Sequence, residues 1–203
     1  MAIIKRASGL LLVIACIVLL PGCGGPSAPE TVTVTLYSTS DGEVQSDGSV
    51  NTSGGLMHIG DNANNVALQA LIGFDLDIPA GATVQTAVFR LYHCENTSHA
   101  HELGQTQVEH LHEDFGEIDA TDFAGNPLEL TSCAEFTSPS YGWWEQVTVT
   151  SSVQEDLAAG RSKSQFRLYR HTLTDNDGAD DYNAFYTRET GSYRPELVVT
   201  YIP

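Results

Sequence analysis

Basic residues are scarce in this sequence. Lys and Arg together number 9 against 26 Asp and Glu among 203 residues, so the formal net charge is −17 at pH 7. A surface with this charge repels the phosphates of nucleic acids, and we expect no nucleic-acid partner. A negatively charged surface attracts cations and keeps the protein soluble. The sequence does not separate a specific cation site from an acidic surface that serves solubility alone.

Motifs of catalytic sites are also missing. The chain has no Gly-x-Ser-x-Gly elbow around a nucleophilic serine and no His-Glu-x-x-His metal motif. The nearest carboxylate pairs are Glu113 with Asp114 and Glu117 with Asp119. Their spacing is typical of a solvated acidic loop, which does not hold two carboxylates at the separation that glycosidases require. We therefore expect a non-enzyme, with a small glycan lyase or hydrolase as an alternative.

Long apolar runs are confined to the N-terminus. Lys5 and Arg6 precede an apolar segment at 10–20, which is shorter than a typical membrane-spanning helix and has the pattern of a signal peptide. The segment ends in Leu-Pro-Gly-Cys, a sequence typical of a bacterial lipobox. We expect the lipid on Cys23, and cleavage of a plain secretory signal nearby is the alternative.

This N-terminus predicts three parts of the chain. Residues 1–22 form the lipoprotein signal peptide, 23–30 the lipidated cysteine with a flexible tether, and 31–203 the folded domain. The lipid is the only expected contact with a membrane. The predicted location is the envelope or surface of a bacterium, after export.

Only four cysteines are present. Cys16 lies in the signal segment and Cys23 is the lipid site, which leaves Cys94 and Cys133 in an exported, oxidising compartment. This context favours a disulfide between them. It would close a loop of about 40 residues and add roughly 4 kcal/mol of stability in the chain-entropy model. Two free thiols are the alternative.

Apolar alternation predicts an all-β fold. The segment 67–76 is nearly all apolar and 87–92 alternates between the two faces of a strand, with a tight corner at Pro79 and Gly81 between them. We expect these two strands to pair and to be covered by a second sheet. Many other short strands and Gly- and Asp-rich turns predict a jelly-roll β-sandwich of two antiparallel sheets.

One short helix is predicted over 152–159. Ser152 and Glu155 have the spacing of a capping box, and Gly160 follows as the stop.

Three segments carry a resemblance to a known family. They are FDLDIPAGATVQTAVFRLY at 74–92, RPELVVTY at 194–201 and DGEVQSDGSVNTSGGLMHIGD at 41–61. The pattern resembles the DNRLRE-type domain, which is also classed as carbohydrate-binding module family 96 and is related to the repeats of archaeal disaggregatase. The resemblance runs from about residue 31 to residue 201. It implies a jelly-roll domain that binds a polysaccharide without cleaving it.

Clustered aromatic residues are the candidate sugar site. Exposed rings stack on the C–H faces of sugars, and a few polar side chains then fix the orientation of the ligand. The alternative is that Trp143 and Trp144 both close the core, although strand alternation places one inward and one outward. The candidate carbohydrate-binding residues are Tyr141, Trp143, Trp144, Tyr182, Tyr186 and Arg188.

An acidic loop is the candidate cation site. Carboxylates on nearby loop residues can converge on one calcium ion, and a glycine permits the turn. The loop is not an EF-hand, since no glutamate follows at the required distance, and an ordinary acidic loop is the alternative. Asp41, Asp47 and Asp61 in Gly-rich turns are weaker candidates. The candidate ligands of a structural calcium are Asp175, Asp177, Asp180 and Asp181.

Two histidine pairs have a spacing that allows both side chains to bind one metal ion. His99 with His101 and His110 with His112 lie two residues apart, which places each pair on one face of a strand. Imidazole is a common ligand of zinc, but the sequence shows no third ligand, so solvent-facing histidines are the alternative.

Together these observations predict a non-catalytic, cell-surface-anchored module that binds a polysaccharide, either a uronic-acid polymer or another surface glycan. A structural or adhesive envelope protein without glycan binding is the alternative, and it requires both tryptophans to be buried.

Overall fold

The computed structural model describes residues 29–96, 102–124, 133–136 and 142–203, and only the backbone of residues 95, 96, 133 and 134. Within these ranges the chain forms eleven strands, one α-helix and two 3-10 helices. The 3-10 helices are Ala120–Asp122 and Arg188–Thr190. The other elements are β1 Val32–Gln45, β2 Val50–Asn51, β3 Leu56–Asp61, β4 Ala67–Asp75, β5 Thr83–Asn96, β6 Thr106–Leu111, β7 Cys133–Phe136, β8 Trp143–Thr148, α1 Thr150–Ala158, β9 Lys163–Arg170, β10 Asp181–Tyr186 and β11 Glu196–Ile202.

Strand β1 closes the sheet on itself. Residues 32–37 pair with β11 and residues 38–45 pair with β4. A β-bulge between Ser38 and Ser40 bends the strand at the change of partner. Pairing of β11 with β5, β5 with β10, β10 with β3, and β3 with β4 then completes a closed ring of antiparallel strands. The all-β class with a short helix is confirmed.

Further strands extend this ring into two facing layers. One layer contains the first half of β1, then β11, β5 and β8, and the other contains the second half of β1, then β4, β9, β6 and β7. Hydrogen bonds join both layers into one sheet. The all-β class does not by itself establish the finer prediction, a jelly-roll β-sandwich of two antiparallel sheets, which stays a prediction.

The pairing predicted for the two central strands is wrong. In the described part of the chain, β4 pairs with β1, β3 and β9, whereas β5 pairs with β8, β10 and β11. The link at 76–82, with Gly81 at φ +88°, carries the chain from one layer to the other instead of forming a hairpin. The alternation itself is confirmed, because Ala87, Phe89 and Leu91 are fully buried.

Phenylalanine rings fill the space between the layers. Phe74 of β4 meets Phe89 of β5 edge to face, with ring centroids 5.6 Å apart. Phe166 stacks on Phe89 at 5.1 Å, and Phe136 and Phe185 continue the cluster. Burial of each of these side chains stabilises the fold by about 1.5–3 kcal/mol. The core therefore determines which face of β5 and of its neighbours is exposed to solvent.

Helix α1 begins two residues before the predicted start. Its first residue is Thr150, whose hydroxyl accepts a hydrogen bond from the Ala87 amide at 2.9 Å and so ties the helix to β5. The capping box predicted for Ser152 and Glu155 is wrong, because the N-cap is Val149 and no side chain caps it. Gly160, at φ +69°, follows the helix as predicted. Within the described ranges, no helix has the length and apolar character needed to span a membrane.

Candidate functional site

The outer face of the β11–β5–β8 layer presents side chains to solvent. Since the odd positions of β5 face the core, Arg90 and Tyr92 face outward. Strand register places Trp144 of β8 directly opposite Tyr92, and Glu196 of β11 directly opposite Arg90. Aromatic and charged side chains from three strands therefore meet at one end of this face.

Four rings form a continuous cluster there. Tyr92 contacts Trp144 edge to face at 5.6 Å, Tyr186 at 5.8 Å and Tyr193 at 4.2 Å between ring centroids. Tyr186 and Tyr193 also stack on each other at 5.6 Å. None of the four is fully buried, and Tyr193 is 42% exposed. We call Tyr92, Trp144, Tyr186 and Tyr193 the aromatic platform.

Two charged side chains hold the platform from one side. The Arg90 guanidinium lies over the Trp144 ring, 4.6 Å from its centroid, and pairs with the Glu196 carboxylate at 3.1 Å. The Tyr92 hydroxyl donates a hydrogen bond to the carbonyl oxygen of Gly142 at 3.0 Å. These contacts fix two of the rings before any ligand arrives, which lowers the entropic cost of binding.

A second ring with a cation lies nearby on the same layer. Tyr37 of β1 pairs in register with Glu196, and the Arg194 guanidinium lies over the Tyr37 ring at 3.9 Å. Tyr37 is 42% exposed. The platform and this pair together offer apolar ring faces beside guanidinium groups, a combination that suits a sugar bearing a carboxylate.

The structure separates the predicted carbohydrate-binding residues. Trp144 and Tyr186 belong to the platform. Trp143 projects from the opposite side of β8 and is 70% exposed, so the alternative in which both tryptophans close the core is wrong. Tyr182 packs edge to face on His58 at 4.7 Å. Tyr141 lies outside the described residues.

Arg188 lies in a separate groove rather than on the platform. Its guanidinium donates to the Thr39 carbonyl oxygen at 2.6 Å and to Glu189 at 2.9 Å. The groove has a volume of about 330 Å³ and is also lined by Asp41, whose pKa is raised by burial. The Arg188 amide and the Ser38 hydroxyl donate to the Asp41 carboxylate and act against that rise.

Sequence reasoning missed half of the platform. Alternation along 87–92 gives Arg90 and Tyr92 only as positions on one face of a strand, and Tyr193 lies in a turn far from the Trp143 segment. An outward-facing tyrosine beside an outward-facing arginine on β5 was the available signal. The contact of β5 with β8 and with the turn at Tyr193 depends on tertiary structure, which the sequence pattern does not reveal.

The structure brings together only some of the predicted calcium ligands in the acidic loop. Carboxylate oxygens of Asp175 and Asp177 lie within 4.8 Å of each other and of a third acid, Glu102. Asp180 instead accepts a hydrogen bond from the Ala63 amide at 2.8 Å, and Asp181 is fully buried in β10. The loop therefore brings together two of the four predicted ligands and adds Glu102.

Asp61 lies buried beside this loop. It pairs with Asp181 across β3 and β10 and is fully inaccessible to solvent. Neither carboxylate oxygen has a partner with hydrogen-bond geometry in the described residues. Burial raises the pKa of Asp61, the nearby Thr174 hydroxyl lowers it, and the charges of Asp175 and Asp177 raise it further. The sequence indicates Asp61 only as a weak candidate, yet it is as fully buried as Asp181.

Cys94 lies in the last part of β5, where its thiol donates to the Ala184 carbonyl oxygen at 3.3 Å. The side chain of Cys133 and the whole of residues 1–28 lie outside the described residues. The disulfide and the lipid site on Cys23 therefore stay predictions.

Comparison with known proteins supplies the family. The model of carbohydrate-binding module family 96 matches residues 32–201, which includes every strand described above except the last residue of β11. No curated protein matches the chain.

Proposed function

Because the chain belongs to carbohydrate-binding module family 96, which is a family of non-catalytic modules, we propose that it binds a polysaccharide on the aromatic platform. The family carries the general function, carbohydrate binding without catalysis. The observation that supports this location is the contact of four incompletely buried rings on an outward sheet face, held by Arg90 and its ion pair with Glu196. Rings placed in this way offer C–H stacking surfaces to sugar units.

A uronic-acid polymer is the ligand class that the local charges favour. Two of the seven basic residues in 29–203, Arg90 and Arg194, lie over rings of this face, although the chain as a whole is acidic. Guanidinium groups bind carboxylates through paired hydrogen bonds. The remaining acidic surface would repel a polyanion that approaches elsewhere, so this arrangement directs a uronate to the platform.

An isothermal titration panel tests the proposal. Alginate, other uronic polymers and neutral glycans are titrated into the purified protein, at low and at high salt, with and without calcium. Binding of a uronic polymer that weakens with salt supports the uronate ligand, and salt-independent binding of a neutral glycan supports the platform with another ligand class. No heat of binding with any glycan would favour the structural or adhesive envelope protein.

A calcium ion at the acidic loop belongs to the same proposal. Glu102, Asp175 and Asp177 supply converging carboxylates, and the buried Asp61 carboxylate adds an oxygen whose charge needs compensation. Calcium takes six to eight oxygen ligands, so carbonyl oxygens and water would complete the shell. Its role would be to hold the 172–180 loop against β3.

Melting with calcium and with a chelator tests this site. Calcium should raise the Tm of the wild-type protein but not of Asp177→Asn, while Asp47→Asn, in an exposed turn elsewhere, should keep the full response. A transition that ignores the chelator would remove calcium from the account and leave glycan binding untouched.

The remaining parts of the proposal concern the whole chain. The lipobox supports cleavage after residue 22 and acylation of Cys23, which would anchor the module at the bacterial envelope. Mass spectrometry of the protein from its membrane fraction tests this directly, with Cys23→Ser as the control that should not carry lipid. The two facing layers support a jelly-roll topology within the closed ring.

A further inference from the structure

Three side chains with metal-binding groups converge beside helix α1. His110 lies near the end of β6, His112 follows just after that strand, and Glu155 projects from α1. Their ligand atoms all lie within 4.8 Å of one another. His112 Nε2 is 3.4 Å from Glu155 Oε1, and His110 Nδ1 is 3.9 Å from Glu155 Oε2. The structure thus supplies the third ligand that the sequence does not show.

The His110 ring is fixed by a buried carboxylate. Its Nε2 lies 2.9 Å from both oxygens of Asp156, and both side chains are fully buried. Asp156 also accepts hydrogen bonds from the Ser164 hydroxyl at 2.6 Å and from Arg161 at 2.9 Å. Because a carboxylate accepts, Nε2 carries the hydrogen and donates it. A neutral ring in this position therefore presents an unshared electron pair on Nδ1.

The environment of the His110 Nδ1 atom indicates that a ligand binds here. The atom is buried and has no hydrogen-bond partner among the described residues. The group it faces, the Glu155 carboxylate, can likewise only accept. A buried acceptor directed at another acceptor is unfavourable unless a positive species links them. Either a divalent metal ion or a second proton on His110 would provide that link.

We propose that His110, His112 and Glu155 bind a divalent transition-metal ion, with Zn²⁺ as the best match. Zinc lies about 2.0–2.2 Å from imidazole nitrogen and carboxylate oxygen, so two ligands of a tetrahedral site are separated by roughly 3.3–3.5 Å. The 3.4 Å contact of His112 already has this separation, and a small movement of Glu155 closes the 3.9 Å contact. Asp156 is the outer-shell partner that orients His110, an arrangement common around zinc.

Charge and exposure at the site agree with this assignment. Glu155 and Asp156 bring two negative charges and Arg161 one positive charge, so the group retains a net negative charge when both histidines are neutral. The side chains of His112 and Glu155 are 52% and 47% exposed. Water can therefore occupy the fourth position, and metal would link α1 to the end of β6. This inference does not depend on glycan binding.

Metal titration tests the proposal on the purified, untagged protein after chelation. Zn²⁺ is titrated against a chromophoric chelator, and Co²⁺ is used separately as a spectroscopic probe. The wild-type protein should bind one Zn²⁺, give the visible absorption of a low-coordinate Co²⁺ site, and melt at higher temperature with Zn²⁺. His112→Ala and Glu155→Gln should each weaken Zn²⁺ binding by more than the roughly 10–100-fold that loss of an outer-shell partner costs.

Two control variants separate this site from other histidines. His171→Ala removes an exposed histidine outside the group, and a double variant, His99→Ala with His101→Ala, removes the other pair spaced two residues apart. Both should keep wild-type Zn²⁺ affinity. Zinc binding that survives His112→Ala and Glu155→Gln, or that is lost in the double variant, overturns the proposal. Failure of the wild-type protein to bind Zn²⁺ also overturns it.

Discussion

Replacing Trp144 with alanine should weaken glycan binding strongly and leave the domain folded. The ring contacts Tyr92 edge to face at 5.6 Å and makes a cation–π contact with Arg90 at 4.6 Å, while its contact with Tyr193 at 6.5 Å is near the outer limit for ring pairs and adds little. At about 0.5–1.5 kcal/mol for each of the two closer contacts, the stability loss is roughly 1–2 kcal/mol. For a domain of this size that lowers the Tm by about 2–8 °C.

The effect on binding follows from the large ring that Trp144 contributes to the platform. Truncation of a tryptophan at a binding hot spot typically costs about 2 kcal/mol or more of binding free energy, which corresponds to a roughly 30-fold higher Kd. Titration calorimetry with the best glycan of the panel measures the Kd, and differential scanning calorimetry measures the Tm. Trp143→Ala is compared in parallel, because that ring extends from the other side of the same strand.

Leu157→Ala is the matched control for lost stability. Leu157 is a partly buried residue of α1 that packs on the core beside Val84, near the start of β5, whereas the platform lies towards the end of that strand. Its truncation should cost about 1–2 kcal/mol of stability, as expected for a partly buried leucine, and so lower the Tm about as much as Trp144→Ala does, but it should leave the Kd unchanged. If Trp144→Ala leaves the Kd unchanged and Trp143→Ala abolishes binding, the glycan binds on the opposite side of β8 and not on the platform.

Three other substitutions test the fold and the cation site. Asp61→Asn should stabilise the calcium-free protein at neutral pH, because burial raises the pKa of Asp61 and so disfavours its charged form in the fold. In pH-dependent melting the gain should shrink as the pH falls towards 3.8, the ordinary pKa of an aspartate, and a constant gain would contradict the burial argument. With calcium present, the wild-type Tm should rise more than that of Asp61→Asn. Gly60→Ala should destabilise the protein strongly, because Gly60 has φ +142° and a Cβ atom would lie 1.9 Å from the Asp181 carbonyl oxygen. Chemical denaturation measures the loss of stability, and an unchanged midpoint would show that β3 and β10 pair differently. Phe89→Ala should cost about 3–5 kcal/mol in the same assay, since its ring is fully buried against Phe74 and Phe166, and a loss below 1 kcal/mol would contradict the two-layer core.

The sequence pattern was sufficient for the class of the fold and for the buried faces. Alternation along 87–92 identified the inward positions of β5 correctly, since packing against a core selects every second residue. It did not identify the partners of the strands. The link at 76–82 was read as a hairpin corner, but the register between layers depends on β1, which changes partner at a bulge that no local pattern marks.

The sequence likewise indicates the site residues that lie close together in the chain, but not those that folding brings to the site. Trp144 and Tyr186 were predicted because they lie near other aromatic residues in the chain, while Tyr92 and Tyr193 reach them only through folding. The His110 and His112 pair was visible in the sequence, but Glu155 was assigned to a helix cap. Because α1 starts at Thr150, that side chain is available to face the histidines instead.

Chemical-shift mapping of backbone amides during a glycan titration tests the proposed binding face most directly. With the tightest ligand of the panel, the largest shifts should occur at Arg90, Tyr92, Trp144, Tyr186 and Tyr193, and they should saturate with the Kd from calorimetry. Shifts centred instead on the groove at Arg188 and Asp41, or no shifts with any uronic or neutral glycan, would contradict the account.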